Sequence, residues 1–337
     1  MLSRLHAIPD LEVTENVPLR DCTRFAIGGP ARWLVDVSTE AALAAAIAEI
    51  HRAGVASVTI PFAVIGGGTN LIVADEGFPG VVLRYTARHI DLSGSVVRVE
   101  SGAMLQSLVD FSIERGLGGL ETMTGIPGWV GGAIYGNAGA YGHSIQERVE
   151  SVRVFDGCGF HDLDNAACGF AYRDSVFKHR KNFKHRKNWI VTSAVLRLTS
   201  AESTALRITA DGILKIRNEK YPPSMRCAGS IFKNLILAQL PESVREQIPL
   251  GVIREGKVPS AYFLEQAGAK GMVNGGIRVA DYHANLIYNS GQGTAAEVRQ
   301  LIQILKSRVR DRFGLDLEEE VQYVPQLSEP TIPSPGE

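Results

Sequence analysis

Seventeen of the chain's 35 glycines fall between Gly66 and Gly142, under a quarter of its 337 residues. Glycine loses more backbone freedom on folding than any other residue, so ordering it is costly. A dense cluster with no collagen-like period marks backbone bent into unusual conformations or pressed against something. Within it, Thr122 to Gly142 runs 21 residues without a formal charge, long enough in principle to cross a bilayer. It holds seven glycines, Pro127 and Asn137, which suit a lipid-exposed helix poorly. The stretch reads as buried, glycine-rich loop and strand.

The rest of the composition is that of a globular chain. Hydrophobic residues make up 45% and charged residues 21%, with a formal net charge of -1, so disorder is not expected. The length suggests about two domains with a core that needs no disulfide or metal staple. The first 25 residues carry seven charges and no apolar core of signal-peptide type, which points to the cytoplasm. Cys22, Cys158, Cys168 and Cys227 show no C-x-x-C pairing and read as free thiols rather than metal ligands.

Short β-like runs recur at Trp33–Val37, Phe62–Ile65, Val81–Arg84, Val96–Glu100, Ser151–Phe155 and Trp189–Leu198. Helical patterns span Glu40–Arg52 and Met104–Arg115, stopping at Gly54 and Gly116. Consecutive strands mixed with αβ units point to α+β rather than a doubly wound sheet. Further on, Ser260–Ala267 reads as a short helix closed by Gly268. Ala295–Phe313 is the clearest helix. Thr294 and Glu297 form a capping-box pattern, Val298, Leu301, Ile302, Leu305, Val309 and Phe313 share one face, and Gly314 supplies the stop. A domain boundary is expected near 200–218, where Thr199 to Thr204 is polar and strand-poor. The tail 326–337, with three prolines, is expected to be loose.

One repeat is perfect: Phe177–Asn182 is followed by the same hexapeptide at Phe183–Asn188. It contributes six Lys and Arg residues, leaving 29 basic against 36 acidic residues elsewhere, a net of -7. A solvated, duplicated loop is the plainest reading, and a phosphate-steering patch near a site is the alternative. A lone basic run on an acidic chain gives little reason to expect nucleic-acid binding.

Five segments carry the chemistry. Gly66-Gly67-Gly68-Thr69-Asn70 follows a predicted strand, and successive backbone N–H groups there can form a nest for phosphate oxygens. A G-x-G-x-x-G fingerprint is not completed, because Leu71 takes the third glycine's place and no clear helix follows. The second, Gly125-Ile126-Pro127-Gly128-Trp129-Val130-Gly131-Gly132-Ala133, continues through Asn137-Ala138-Gly139-Ala140-Tyr141-Gly142. Small residues at this density let a large flat ligand lie against backbone. The third, Ala171 to Lys178, contains Arg173, a fork-shaped donor suited to a carboxylate. The fourth, Gly229-Ser230-Ile231-Phe232-Lys233-Asn234, gathers a hydroxyl, an ammonium and an amide. The fifth is Glu318-Glu319-Glu320, which on its own would read as a solvated face.

In order and spacing, these segments together resemble the UDP-N-acetylenolpyruvoylglucosamine reductases, flavoenzymes of bacterial cell-wall precursor synthesis. The resemblance runs from about Thr23 to Val324. It also takes in Thr23 to Ala31, Gln266 to Gly271 and His283-Ala284-Asn285. It implies an FAD-binding module of the vanillyl-alcohol-oxidase (PCMH) type over residues 20–200, built of two αβ subdomains split near 80–90. A substrate-binding α+β domain would follow over 210–325. Gly66, Gly67, Gly68, Thr69 and Asn70 would then cradle the FAD pyrophosphate. Gly125, Ile126, Pro127, Gly128, Gly132, Asn137, Ala138 and Gly139 would line the pyrophosphate and isoalloxazine.

The resemblance also implies a reaction. NADPH, binding transiently in the substrate site, would reduce the flavin at N5. The UDP-N-acetylglucosamine enolpyruvyl ether would then receive hydride at C3. Charge building toward its carboxylate calls for preorganised stabilisation. By their match to the family motifs, Arg173 is the carboxylate clamp, Glu320 its partner, in protonated form, and Ser230 the proton donor to C2. A serine is a weak acid, so it needs nearby positive charge, and Lys233 is the nearest candidate in sequence. Tyr141, Lys233 and Asn234 are expected substrate contacts. The expected partner is thus a small molecule, with a monomeric chain, no nucleic acid and no membrane insertion. One branch of the family closes a tyrosine-bearing loop over the substrate. Here Leu198 to Tyr221 has no earlier tyrosine, which points to the branch without that loop. The rivals are an FAD oxidase acting on another hydroxylated substrate and a non-catalytic flavin or nucleotide sensor.

Overall fold

The computed structural model describes residues 1–54, 60–179 and 189–325. Most of the duplicated hexapeptide and the tail 326–337 lie outside the described residues.

Two sheets follow one another in the first part of the chain. The first joins β1 (Leu11–Pro18), β2 (Pro30–Val37), β5 (Phe78–Tyr85) and β3 (Phe62–Val64) in that spatial order. β1 and β2 are antiparallel, whereas β2, β5 and β3 are parallel. The parallel step requires a crossover, and α1 (Glu40–Gly54) supplies it. Its Ala42, Leu43, Ala46, Ile47 and Ile50 bury the stripe that packs with Val35, Val81 and Leu83. β4 (Leu71–Val73) lies outside this sheet.

The second sheet is antiparallel throughout. Its order is β9 (Phe160–Asp164), β8 (Val149–Phe155), β10 (Ile190–Arg197), β7 (Val96–Glu100) and β6 (Ile90–Ser93). α2 (Leu105–Glu114) and α3 (Val130–Tyr135) bury their apolar residues in its core.

The expected α+β class and every strand and helix anticipated above are present, most with shifted ends. Two local readings are corrected. Thr122–Gly142 is not loop and strand alone, because Val130, Ala133 and Ile134 build a helix across Gly131 and Gly132. No helix among the described residues is long and apolar enough to cross a membrane. The stretch Thr199 to Thr204, read as polar and strand-poor, holds a short strand at Thr199–Ser200 paired with Leu117–Gly118 and the start of α4 (Ser203–Lys220), whose Leu206 and Ala210 pack on the second sheet's core.

The last part forms a third sheet, antiparallel throughout. It orders β11 (Cys227–Ser230), β14 (His283–Asn289), β13 (Ile277–Ala280) and β12 (Val273–Asn274). α5 (Ser260–Gln266) and α6 (Ala295–Phe313) complete its core. Phe25, Ile27 and Ile72 of the first part sit in that same core. The Asp75 carboxylate accepts from Ala295 N–H and Ala296 N–H at 2.7 and 2.9 Å, so the first part caps the third part's main helix. Finally β15 (Gln322–Val324) returns to pair in parallel with β4. That pairing decides where Glu320 stands.

Candidate active site

The two glycine segments face each other. Thr69 Oγ1 donates to Pro127 O at 3.2 Å. A Cβ on Gly67 would stand 2.9 Å from Trp129 Cδ1, and one on Gly128 2.6 Å from Thr69 Oγ1. Gly68 has φ +66, and a Cβ there would strike Cys22 O at 1.9 Å, so only glycine fits. Gly68 serves close approach to backbone, and Gly67 and Gly128 make room for the Trp129 and Thr69 side chains.

Gly132 differs. A Cβ there would meet nothing within 4 Å, and no positive φ demands glycine. The fold places no constraint on this position, whereas a flat group lying against the backbone would. A cleft of about 570 Å³ between the two glycine segments is lined by Gly67, Gly125, Pro127, Arg24, Arg217 and Tyr221 among others. Among the described residues neither Arg24 nor Arg217 has a carboxylate partner. Arg217 Nε is buried without a hydrogen bond, and burial pushes its guanidinium down from its ordinary value. Unpaired guanidinium beside exposed glycine backbone fits a phosphate-bearing, flat cofactor.

The carboxylate-handling groups lie at Gly139. Arg173 Nη2 donates to Gly139 O at 2.7 Å, and its Nε stands 2.8 Å from Glu320 Oε1. The Nε contact is an ion pair made off the N–H axis, since that nitrogen makes no hydrogen bond. Both side chains are about three-quarters buried, at 25% and 22% exposure. Glu320 is pinned by its backbone: Asn70 Nδ2 donates to Glu320 O at 3.0 Å, and Glu320 N–H donates to Ile231 O at 2.7 Å. The first glycine motif, the Ser230 segment and the Glu triplet thus meet at one point. Lys178 donates to Arg173 O at 2.7 Å. Burial, and then the Lys233 ammonium, hold the Lys178 ammonium below the usual lysine range.

Ser230 ends β11 after Gly229, which has φ +72, and a register shift interrupts pairing with β14 between Cys227 and Ser230. Such an irregularity re-aims a side chain out of the ladder. Lys233 is not the hydroxyl's partner: Lys233 Nζ donates to Glu318 Oε1 at 2.5 Å, while Ser230 Oγ meets the Tyr221 hydroxyl at 3.0 Å. Asn234 N–H donates to the Tyr172 hydroxyl at 3.2 Å. Tyr141 is 47% exposed. Asn137, by contrast, is buried and donates to Gln146 Oε1 and Ala171 O, so its side chain braces the loop. Ile126 and Ala138 pack partly buried on the second sheet's core. No motif singles out Arg217, Lys178 or Tyr221 as site groups. The only signal for Tyr221 is Pro222-Pro223, which ends the helix before it.

Residues 31–161 match the family model of an FAD binding domain. With the glycine-lined cleft, this defines a flavoprotein whose third sheet brings Ser230 to Tyr221 at the cleft. Residues 221–324 match the model of the UDP-N-acetylenolpyruvoylglucosamine reductase C-terminal domain. A UDP-N-acetylenolpyruvoylglucosamine reductase of Solibacter usitatus is 54% identical over 321 residues, covering 95% of this chain and 99% of that one. One from Thermotoga maritima is 35% identical, over 89% and 94%. The crystal structure of the Thermus caldophilus enzyme superposes with a TM-score of 0.70 at 29% identity, over 93% and 98%. The chain belongs to the UDP-N-acetylenolpyruvoylglucosamine reductase family: an FAD-binding oxidoreductase of UDP-N-acetylmuramate synthesis.

Proposed function

We propose that the chain uses NADPH to reduce the enolpyruvyl ether of UDP-N-acetylglucosamine enolpyruvate to the lactyl ether of UDP-N-acetylmuramate. The observation that carries this reading is the Arg173–Glu320 pair, fixed from Gly139 and Asn70 beside the glycine cradle. An oxidase acting on a simple alcohol has no use for that arrangement.

Bound FAD would supply hydride chemistry for reduction at C3 of the substrate. Gly66, Gly67, Gly68, Thr69 and Asn70 would hold its pyrophosphate, and the Arg217 guanidinium would offset its charge. Gly125, Ile126, Pro127, Gly128, Gly132, Asn137, Ala138 and Gly139 form or brace the wall along the cofactor. Arg173 binds the substrate carboxylate and stabilises the enolate-like charge that builds there. Glu320 holds the guanidinium in place. Ser230 gives a proton to C2. Tyr141, Lys233 and Asn234 contact the substrate from the mouth. NADPH occupies the same mouth first and leaves, so no second nucleotide fold is needed.

Anaerobic stopped-flow mixing tests this. NADPH should bleach the flavin absorbance quickly, and the enolpyruvyl sugar should restore it without oxygen. Restoration by oxygen alone would reject the reading in favour of an oxidase.

A further inference from the structure

A serine that protonates carbon is left as an alkoxide unless a second proton reaches it. The sequence points to Lys233 for help, but that ammonium is turned to Glu318. The Ser230 hydroxyl instead meets the Tyr221 phenol at 3.0 Å. We propose that Tyr221 is the positioning residue for Ser230: it aims the seryl hydroxyl into the cleft and passes it a proton as Ser230 protonates the substrate. This rests on the reading of Ser230 as the acid.

The surroundings hold Tyr221 in place. Its backbone N–H donates to Arg217 O at 2.7 Å, and Pro222-Pro223 stops the helix directly after it. The ring lies between the end of α4 and the start of β14. The Arg217 guanidinium carbon is 5.7 Å and the Lys220 ammonium 5.1 Å from its centroid, with the His283 ring at 6.4 Å. Tyr221 borders the same cleft as Gly67 and Gly125.

The proton balance closes. The Ser230 O–H bond breaks as the C2–H bond forms. The Tyr221 O–H bond breaks as the Ser230 O–H bond re-forms. The charge left behind rests on a phenolate rather than an alkoxide, beside two cations, and water then reprotonates it. A phenol is a far stronger acid than an alcohol, so the transfer runs downhill.

The test uses the holoenzyme and compares Tyr221→Phe, Ser230→Ala and the double variant. Tyr221→Phe should slow reoxidation of NADPH-reduced flavin by the enolpyruvyl sugar about 10-fold or more. Reduction by NADPH should change less than about twofold, at unaltered flavin content. In the Ser230→Ala background, adding Tyr221→Phe should change reoxidation by less than about twofold, because the path through the serine is already gone. Equal slowing in both backgrounds, or none in either, overturns the proposal. If Ser230→Ala itself reoxidises at the normal rate, the reading of Ser230 as the acid fails and takes this proposal with it. Normal reoxidation in Tyr221→Phe beside a slow Ser230→Ala rejects Tyr221 alone. A readout without turnover is the NMR signal of ¹³Cζ-labelled tyrosine, identified by its loss in Tyr221→Phe. It should move on Ser230→Ala, and an unmoved signal overturns the hydrogen bond on which the proposal depends.

Discussion

Arg173 reaches Glu320 from a strained backbone: its φ is +56, in a region that favours glycine. Seven described non-glycine residues have positive φ, and three of them, Asn137, Tyr141 and Arg173, belong to the candidate site. Strain of this kind persists only where the surrounding structure enforces it. Here Gly139 O and Lys178 Nζ hold the arginine from two sides. Arg173→Lys keeps a cation but loses the fork. It should slow reoxidation by the enolpyruvyl sugar about 100-fold while leaving flavin reduction by NADPH within severalfold. Stopped-flow absorbance of the flavin reads both steps.

Gly132→Ala separates a cofactor contact from a folding need. An added methyl meets no protein atom within 4 Å and lies in a helix. Stability of the flavin-free protein should hold or rise by up to about 1 kcal/mol. Flavin affinity should nonetheless fall about 10-fold or more, measured by titration of the stripped protein. Gly68→Ala is the contrast, since its methyl collides with Cys22 O and should destabilise the fold itself.

Asp75→Ala removes a cap that a distant part of the chain supplies to α6. Ala295 N–H and Ala296 N–H lose their acceptor, although Thr294 and Glu297 keep their own capping box. Thermal unfolding should show a loss of about 1–2 kcal/mol.

His283 gives a pH dependence. Burial, and then the Lys220 ammonium, lower its pKa from 6.5 to about 4, and its Nδ1 is buried without a partner. Between those values the unfolded chain carries a proton that the folded chain does not. Stability therefore falls as pH drops through that window, on the order of 1–3 kcal/mol in all. His283→Gln should flatten this part of the profile in urea melts at pH 7 and pH 5.

What could be read from sequence followed local rules. α6 has its cap, stripe and stop in consecutive residues, and its observed ends are those expected. α4 escaped because only Leu206 and Ala210 are buried, while Ile208 and Ile216 face solvent and Gly212 interrupts the run. α3 escaped because its two glycines disfavour a helix in isolation. Tertiary bonds fix it, including Gly131 N–H to Ser101 O at 2.8 Å. For the candidate site, motif resemblance singles out Ser230, Arg173 and Glu320, and the structure brings the last two together. That Arg173 meets Glu320 depends on the register of β15 against β4, which no local pattern encodes. That Ser230 turns to Tyr221 depends on a bulge and a proline turn acting together.

The parallel pairing of Gln322–Val324 with Leu71–Val73 also has a consequence in time. A chain still emerging from the ribosome can hold both glycine segments, yet it lacks the strand that brings Glu320 to Asn70. The arginine–glutamate pair therefore forms only after synthesis has passed Val324. For the same reason, recombination between relatives within α4 would exchange Glu320 and its strand while leaving Arg173 and Asn70 behind. Hybrids made at this helix would inherit the site from two parents.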